Sequence, residues 1–166
     1  MRTHLAIRCI LLAVIAALGL LHAAPPADSP EGCWITKDNE AIVEIRVIDG
    51  HLVGRIIALS EPLFAPDDPD AGKAKFDREN PDTKRRSQPI VGLQILDGFT
   101  QRKNGKWEGG TVYDPDEGST YSGNLRVTEE GTLELRGFWG VALLGRTEIW
   151  RRSEARDGPP PVVPAP

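Results

Sequence analysis

Cysteine and histidine are scarce in this chain of 166 residues, which has two of the first and three of the second. Cys9, His4 and His22 all fall in the leading segment, so a processed chain would keep only Cys33 and His51. A single thiol excludes an internal disulfide, and in an oxidising compartment it is best packed away. A single histidine, expected to be exposed beside the Asp49-Gly50 turn, gives no transition-metal cluster. It also leaves any Ser-His-Asp triad to His51 alone, with no Gly-x-Ser-x-Gly elbow to serve it. Neither a metal nor another cofactor is expected.

Basic charge is also in short supply, with 20 Lys and Arg against 24 Asp and Glu. Loss of residues 1–24 would remove Arg2 and Arg8 and no acid, leaving 18 against 24 and a net charge of −6. That balance argues against nucleic acid or an anionic membrane surface as partner. Cys9–Leu21 is the one long apolar run, and it falls short of the roughly 20 residues a membrane-spanning helix needs. No later stretch has the i, i+3, i+4 spacing of an amphipathic helix.

What is present at the N-terminus, Arg2 and Arg8 before an apolar run that ends in small residues, has the make-up of a signal peptide over residues 1–24. Cleavage near Ala23 or Ala24 would leave residues 25–31 as a flexible lead. The expected location is the periplasm, with extracellular release as the variant, and no stable membrane span after cleavage. The tail, residues 153–166, is expected to be disordered, since five of the nine residues in Gly158–Pro166 are proline.

Between these ends the pattern is that of strands and tight turns. Ala41, Val43, Ile45 and Val47 alternate with a mixed set, and Asp49-Gly50 then turns the chain into Leu52–Leu59. Pro89–Leu96 is apolar and extended, Asp97-Gly98 suggests a turn, and Asn104-Gly105 feeds Trp107–Tyr113. Asp114-Pro115-Asp116-Glu117-Gly118 turns into Ser119–Val127, Glu129-Glu130-Gly131 into Thr132–Gly137, and a last strand covers Arg146–Arg152. Seven to eight short strands in sequential hairpins predict an all-β, small antiparallel up-and-down barrel over residues 32–152, which removes exposed edges by closing. A two-sheet sandwich is the alternative. Residues 60–88 break the pattern as a long irregular loop, of the kind that is functional or disordered.

Gly32-x-Trp34, Asn80-Pro81 followed by Arg85 or Arg86, Gly92-Leu93, Trp107-x-Gly109-Gly110-x-Val112-Tyr113-Asp114-Pro115, Gly118-x-x-Tyr121, Leu135-Arg136-Gly137-Phe138 and Trp150-x-Arg152 occur in that order. Together they resemble a bacterial family catalogued as domain of unknown function 2147, over essentially all of residues 32–152. The resemblance implies an exported small β-barrel and carries no activity with it. A looser likeness is to the calycins, the lipocalin-like barrels, where a Gly-x-Trp on the first strand packs under a basic residue of the last strand. Gly32, Trp34 and either Arg151 or Arg152, beside Trp150, are the residues for that structural signature, since a guanidinium over an indole adds cation–π attraction.

Several groups could carry chemistry. Asp114, Asp116 and Glu117 next to Gly118 invite a calcium reading but are also what a turn wants; Asp67, Asp68 and Asp70 are similar. Asn80, Arg85 and Arg86 could orient a ligand carboxylate or phosphate at a barrel mouth, or form a solvated ion-pair loop. Trp107 with Tyr113 or Tyr121 could line a cavity or fill a core. No catalytic residues are evident. These readings favour a noncatalytic binding module for a small amphipathic or apolar molecule or an envelope component. The alternative is a filled-barrel interaction or envelope-maintenance factor contacting a protein.

Overall fold

The computed structural model describes residues 28–140 and 145–153. The expected leader, residues 25–27 of the lead, the link 141–144 and the tail from residue 154 lie outside the described residues.

Eight strands follow one another around a closed antiparallel barrel. They are β1 (Gly32–Ile35), β2 (Ala41–Ile48), β3 (His51–Leu59), β4 (Gln94–Gln101), β5 (Trp107–Asp114), β6 (Ser119–Val127), β7 (Thr132–Phe138) and β8 (Arg146–Arg152). Closure is made by β1 and β8, with Trp34 opposite Arg152 and Ile35 opposite Arg151. The sandwich alternative is thereby set aside. The alternation read in β2 places Ala41, Val43 and Ile45 in the core. Its turn into β3 uses Asp49 at φ 51° and Gly50 at φ 80°, the two left-handed residues that a twisted two-residue hairpin requires. His51, directly after it, is exposed.

One strand is displaced from its expected position. Pro89–Leu93 belongs to the long connection, and β4 runs straight through Asp97-Gly98 to Gln101. Gly98 has φ 71°. A left-handed glycine serves a bulge within a strand as well as it serves a turn, and the extra residue lets Leu96 and Phe99 both reach the core, each 0% exposed.

The interior is packed with side chains. Trp34, Ile45, Leu52, Leu96, Phe99 and Leu133 are all but fully buried, joined by Trp107, Leu125 and Trp150. Gly110 and Gly123 face each other across β5 and β6, and the Phe99 ring occupies the space their missing side chains leave. A Cβ on Gly110 would lie 2.2 Å from the ring, and one on Gly123 would lie 2.8 Å from it.

At one end the chain is drawn shut around Trp34. Its indole N–H donates to the Pro30 carbonyl at 2.7 Å, and the Arg152 guanidinium lies 4.3 Å from the ring centroid. The same guanidinium donates to the carbonyls of Glu31 at 3.0 Å and Ser29 at 2.7 Å. Of the two candidates for this cation, Arg152 takes the part; Arg151 instead donates to the Asn39 side chain. Residues 29–31, expected as part of a flexible lead, are instead tied to the barrel by these bonds and by the amide of Val47, which donates to Glu31 Oε1 at 3.0 Å. Cys33 is half-buried on β1, opposite Glu44.

Candidate functional site

The connection between β3 and β4 contains no helix or strand and is held together by contacts of its own. Bridges pair Leu63 with Ala74 and Phe76 with Pro89. Phe64 and Phe76 meet edge to face at 5.1 Å, and Arg78 lies 3.7 Å over Phe64 while donating to both carboxylate oxygens of Asp68 at 3.0 Å. The Arg78 hydrogen bond, helped by the Asp70 amide, holds the Asp68 carboxyl below its usual range. Ile90 is buried in the hydrophobic cluster, and the end of the connection is laced to β3 by Ile56 N–H to Leu93 O at 3.0 Å and Gly92 N–H to Ile56 O at 2.8 Å.

A buried carboxylate anchors the connection to the barrel wall. Asp77 is 0% exposed. Its Oδ2 accepts from Asn80 Nδ2 at 2.6 Å and its Oδ1 from the Tyr113 hydroxyl at 2.7 Å, so each oxygen has a donor, as a buried polar group requires. Burial, and then the neighbouring Asp77, push the Tyr113 phenol above its ordinary value. Asn80 is held in turn: its Oδ1 accepts from the Asp82 amide at 2.9 Å and its carbonyl from Arg86 Nε at 2.8 Å. Beside this knot the hairpin turn after β5 presents Gly118 at φ 63°, where a Cβ would lie 1.9 Å from the Glu79 carbonyl oxygen. Only glycine admits that approach.

Pairing shows which wall this is. Gly110 backs onto the Phe99 ring and Val112 is in phase with it, so by alternation Thr111 and Tyr113 take the outer face, with Asp97 opposite Thr111 and Thr120 opposite Tyr113; Tyr113 also packs against the edge of the hydrophobic cluster. The connection therefore packs on the outside of β4, β5 and β6. It leaves a cleft of about 510 Å³ there. The connection supplies Asn80, Pro81, Arg85 and Gln88, β4 supplies Gln94, Ile95 and Asp97, and the β5–β6 hairpin supplies Thr111, Tyr113 and Thr120. A contiguous arm of about 390 Å³ runs past Arg85 and Leu93 to Arg55, whose Nη1 donates to the Gly92 carbonyl at 2.8 Å.

Of the residues singled out in the sequence, Asn80, Arg85 and Tyr113 meet at this cleft. Arg86 stands behind Asn80 as its clamp. Trp107 is buried in the barrel core, opposite Leu125, and Tyr121 lies on the inner face, where its ring meets Trp139 edge to face at 5.7 Å and its hydroxyl donates to Glu117. The structure does not bring these two to the cleft. Gln88, Gln94, Thr111 and Thr120 were not picked out in the sequence, because neutral polar side chains on a solvent face carry no spacing signal. The phase of Thr111 and Tyr113 against Gly110 and Val112 was the one available clue.

The acidic runs are occupied locally. Asp114 Oδ1 accepts the amides of Asp116 at 2.9 Å and Glu117 at 3.3 Å, which is the bonding of a turn, and burial raises its carboxyl above the usual range. Among the described residues, no three His, Cys, Asp or Glu side chains are grouped to hold a metal ion.

The sequence profile of a family described as "Uncharacterized protein conserved in bacteria (DUF2147)" matches residues 32–152. The chain belongs to this family. That match takes in the barrel and the folded connection together. Among solved structures it is similar to one described as "Protein HP1028 from the human pathogen Helicobacter pylori belongs to the lipocalin family". The two share 23% identity at a TM-score of 0.64, over 77% of this chain and 85% of that one. At this identity the likeness is one of fold, a lipocalin-like barrel. No curated protein matches the sequence. In this member of the DUF2147 family, the Asn80-Pro81, Gly92-Leu93, Tyr113-Asp114-Pro115 and Gly118 motifs all lie where the connection docks on the barrel wall.

Proposed function

We propose that this DUF2147 protein is an exported, noncatalytic binding module that holds a small amphipathic molecule in the outer cleft. Support comes from one observation above the rest. Arg85, Gln88, Gln94, Asp97, Thr111 and Thr120 converge on a recess whose floor includes Leu93 and Ile95, and the volume suits one small ligand. The apolar floor takes a hydrocarbon or ring face, and the rim of amides, hydroxyls and opposite charges takes a polar head. The packed interior, with Phe99 filling the Gly110 and Gly123 gap, moves the reading from the barrel lumen to its wall. The export half of the proposal rests on the Arg2 and Arg8 n-region and the apolar run behind it.

A second reading is an interaction factor for an envelope protein. It is favoured by the same filled core and by Trp139, which is 68% exposed.

The test is native mass spectrometry of the protein produced with its own leader and recovered from the periplasm, followed by denaturing extraction of whatever is bound. A stoichiometric small molecule, lost in a Thr111→Trp variant that fills the cleft, is the expected result. A bare polypeptide mass, or a ligand retained by that variant, would overturn the cleft assignment.

A further inference from the structure

The barrel is closed by a very short seam. Strand β8 has seven residues, yet β1 pairs with it only at Arg151 and Arg152. Beyond Ile35 the chain leaves the ladder into a short 3-10 turn, Lys37–Asn39, which stays beside β8 through the Arg151 to Asn39 side-chain bond, while Thr36 N–H bonds back to Ala41 O at 3.0 Å. The direction of the β8 backbone follows from one bond, Ser153 N–H to Cys33 O at 2.8 Å, which points Ser153 at β1. Backbone groups alternate along a strand, so Arg151, Ile149 and Thr147 point the same way, while Arg146, Glu148 and Trp150 point at β7. Among the described residues no backbone partner reaches the N–H and C=O groups of Thr147 and Ile149 on that side. Arg146, Thr147, Glu148 and Ile149 are all exposed. An open strand edge of this kind is a template for another strand.

We propose that this edge pairs with the same edge of a second copy, in an antiparallel register centred on Thr147. The charge pattern carries the choice of partner. Centred there, Thr147 faces its symmetry mate and exchanges both N–H···O=C bonds with it. Arg146 of each copy then lies directly across from Glu148 of the other, and Ile149 lies across from Gly145. The segment Arg146-Thr147-Glu148 is thus its own electrostatic complement under a two-fold axis, as an isologous contact requires. Arg146 enters none of the ion pairs among the described residues and is available for the contact. Among the described residues Glu148 is engaged through Oε2, which accepts the Trp150 indole N–H at 3.0 Å, and its Oε1 is left to meet a partner. The cleft lies on β4, β5 and β6, so dimerisation would leave it open.

Sedimentation equilibrium of the processed chain over a wide concentration range tests this. The expected result is a reversible dimer that Thr147→Pro abolishes. The lost amide points away from β7 and so removes a contact between copies without breaking the barrel ladder. Arg146→Glu, at an exposed position with no ion pair to lose, should also give monomer and serves if the proline variant fails to fold. The exchanged pair Arg146→Glu with Glu148→Arg should restore the dimer. Amide exchange of Thr147 and Ile149 should slow with concentration. A monomer throughout the range, or a dimer indifferent to Arg146→Glu, would overturn the proposal; the first outcome would leave the edge to a foreign strand.

Discussion

Tyr113 donates its hydroxyl to Asp77 Oδ1 at 2.7 Å, joining the outer wall of the barrel to a carboxylate 36 residues earlier in the chain. Two segments with little else in common are fixed to each other by this bond. Tyr113→Phe leaves a buried carboxyl oxygen without its donor, at a cost of about 1–3 kcal/mol. Chemical denaturation should show a lower midpoint, and the amides of Asp77 and Ile90, which bond to Gln88 O and Lys75 O, should exchange faster. Unchanged exchange at those two amides would mean that the connection is held by other contacts.

The same pair sets an alkaline limit. The folded protein raises the Tyr113 phenol above its ordinary value, so the native state holds that proton more tightly than the unfolded chain does. The stability this contributes is complete below the ordinary tyrosine value and is lost as pH rises through the raised one. Wild type should therefore lose stability on the alkaline side more steeply than Tyr113→Phe, measured as midpoint against pH above neutrality. Parallel curves would remove Tyr113 from the account.

The acid side is governed from inside the connection. Arg78 holds the Asp68 carboxyl below its usual range, so the contribution is present above the unfolded value and disappears as pH falls through the lowered one. Asp68→Asn should flatten the acid limb of the stability curve. The effect is small, because the pair is partly in water. Proteolytic nicking within residues 60–93 should rise in the variant at neutral pH.

Trp34 closes the barrel beneath Arg152, and its removal combines lost burial with orphaned groups. Trp34→Ala should destabilise by about 3–5 kcal/mol. Arg152→Lys keeps the charge but cannot reach two carbonyls from one planar fork as Arg152 does at Glu31 and Ser29. A midpoint in denaturant unchanged by Trp34→Ala would remove the indole from the core account.

Most of the barrel was legible because each hairpin carries its own local signal. The Asp49-Gly50 turn and the alternation of β2 determine their structure within a few residues. β4 was misplaced at Asp97-Gly98 because a left-handed glycine has the same local signature in a bulge and in a turn, and only the partner strand distinguishes them. The connection was legible as exceptional, but its order was not. Asn80 and Arg86 read as part of a solvated ion-pair loop until the buried Asp77 and, far away in sequence, Tyr113 complete the knot. For the site, Asn80, Arg85 and Tyr113 were found because charge and aromaticity stand out, whereas Thr111, Thr120 and Gln94 are defined only by the face they share. Trp107 and Tyr121 resemble ligand-lining residues in any sequence, and the inward phase of β5 and β6 is what separates them from the cleft.

Gly118 gives the sharpest test of how the connection is held. Gly118→Ala must relieve two problems, a left-handed backbone at φ 63° and a Cβ 1.9 Å from the Glu79 carbonyl oxygen. Gly105 is the matched control, since it is left-handed at φ 78° with nothing within 4 Å of its Cβ position. Gly105→Ala should therefore cost only the conformational term, about 1–2 kcal/mol. Gly118→Ala should cost clearly more, because a carbonyl oxygen in backbone cannot swing aside as a side chain would. The excess should appear as faster exchange at Asn80 and Asp82, the first two amides after Glu79, with the Trp107 end of the same hairpin unaffected. Equal losses from the two substitutions would show that the connection yields to the hairpin and does not lock against it.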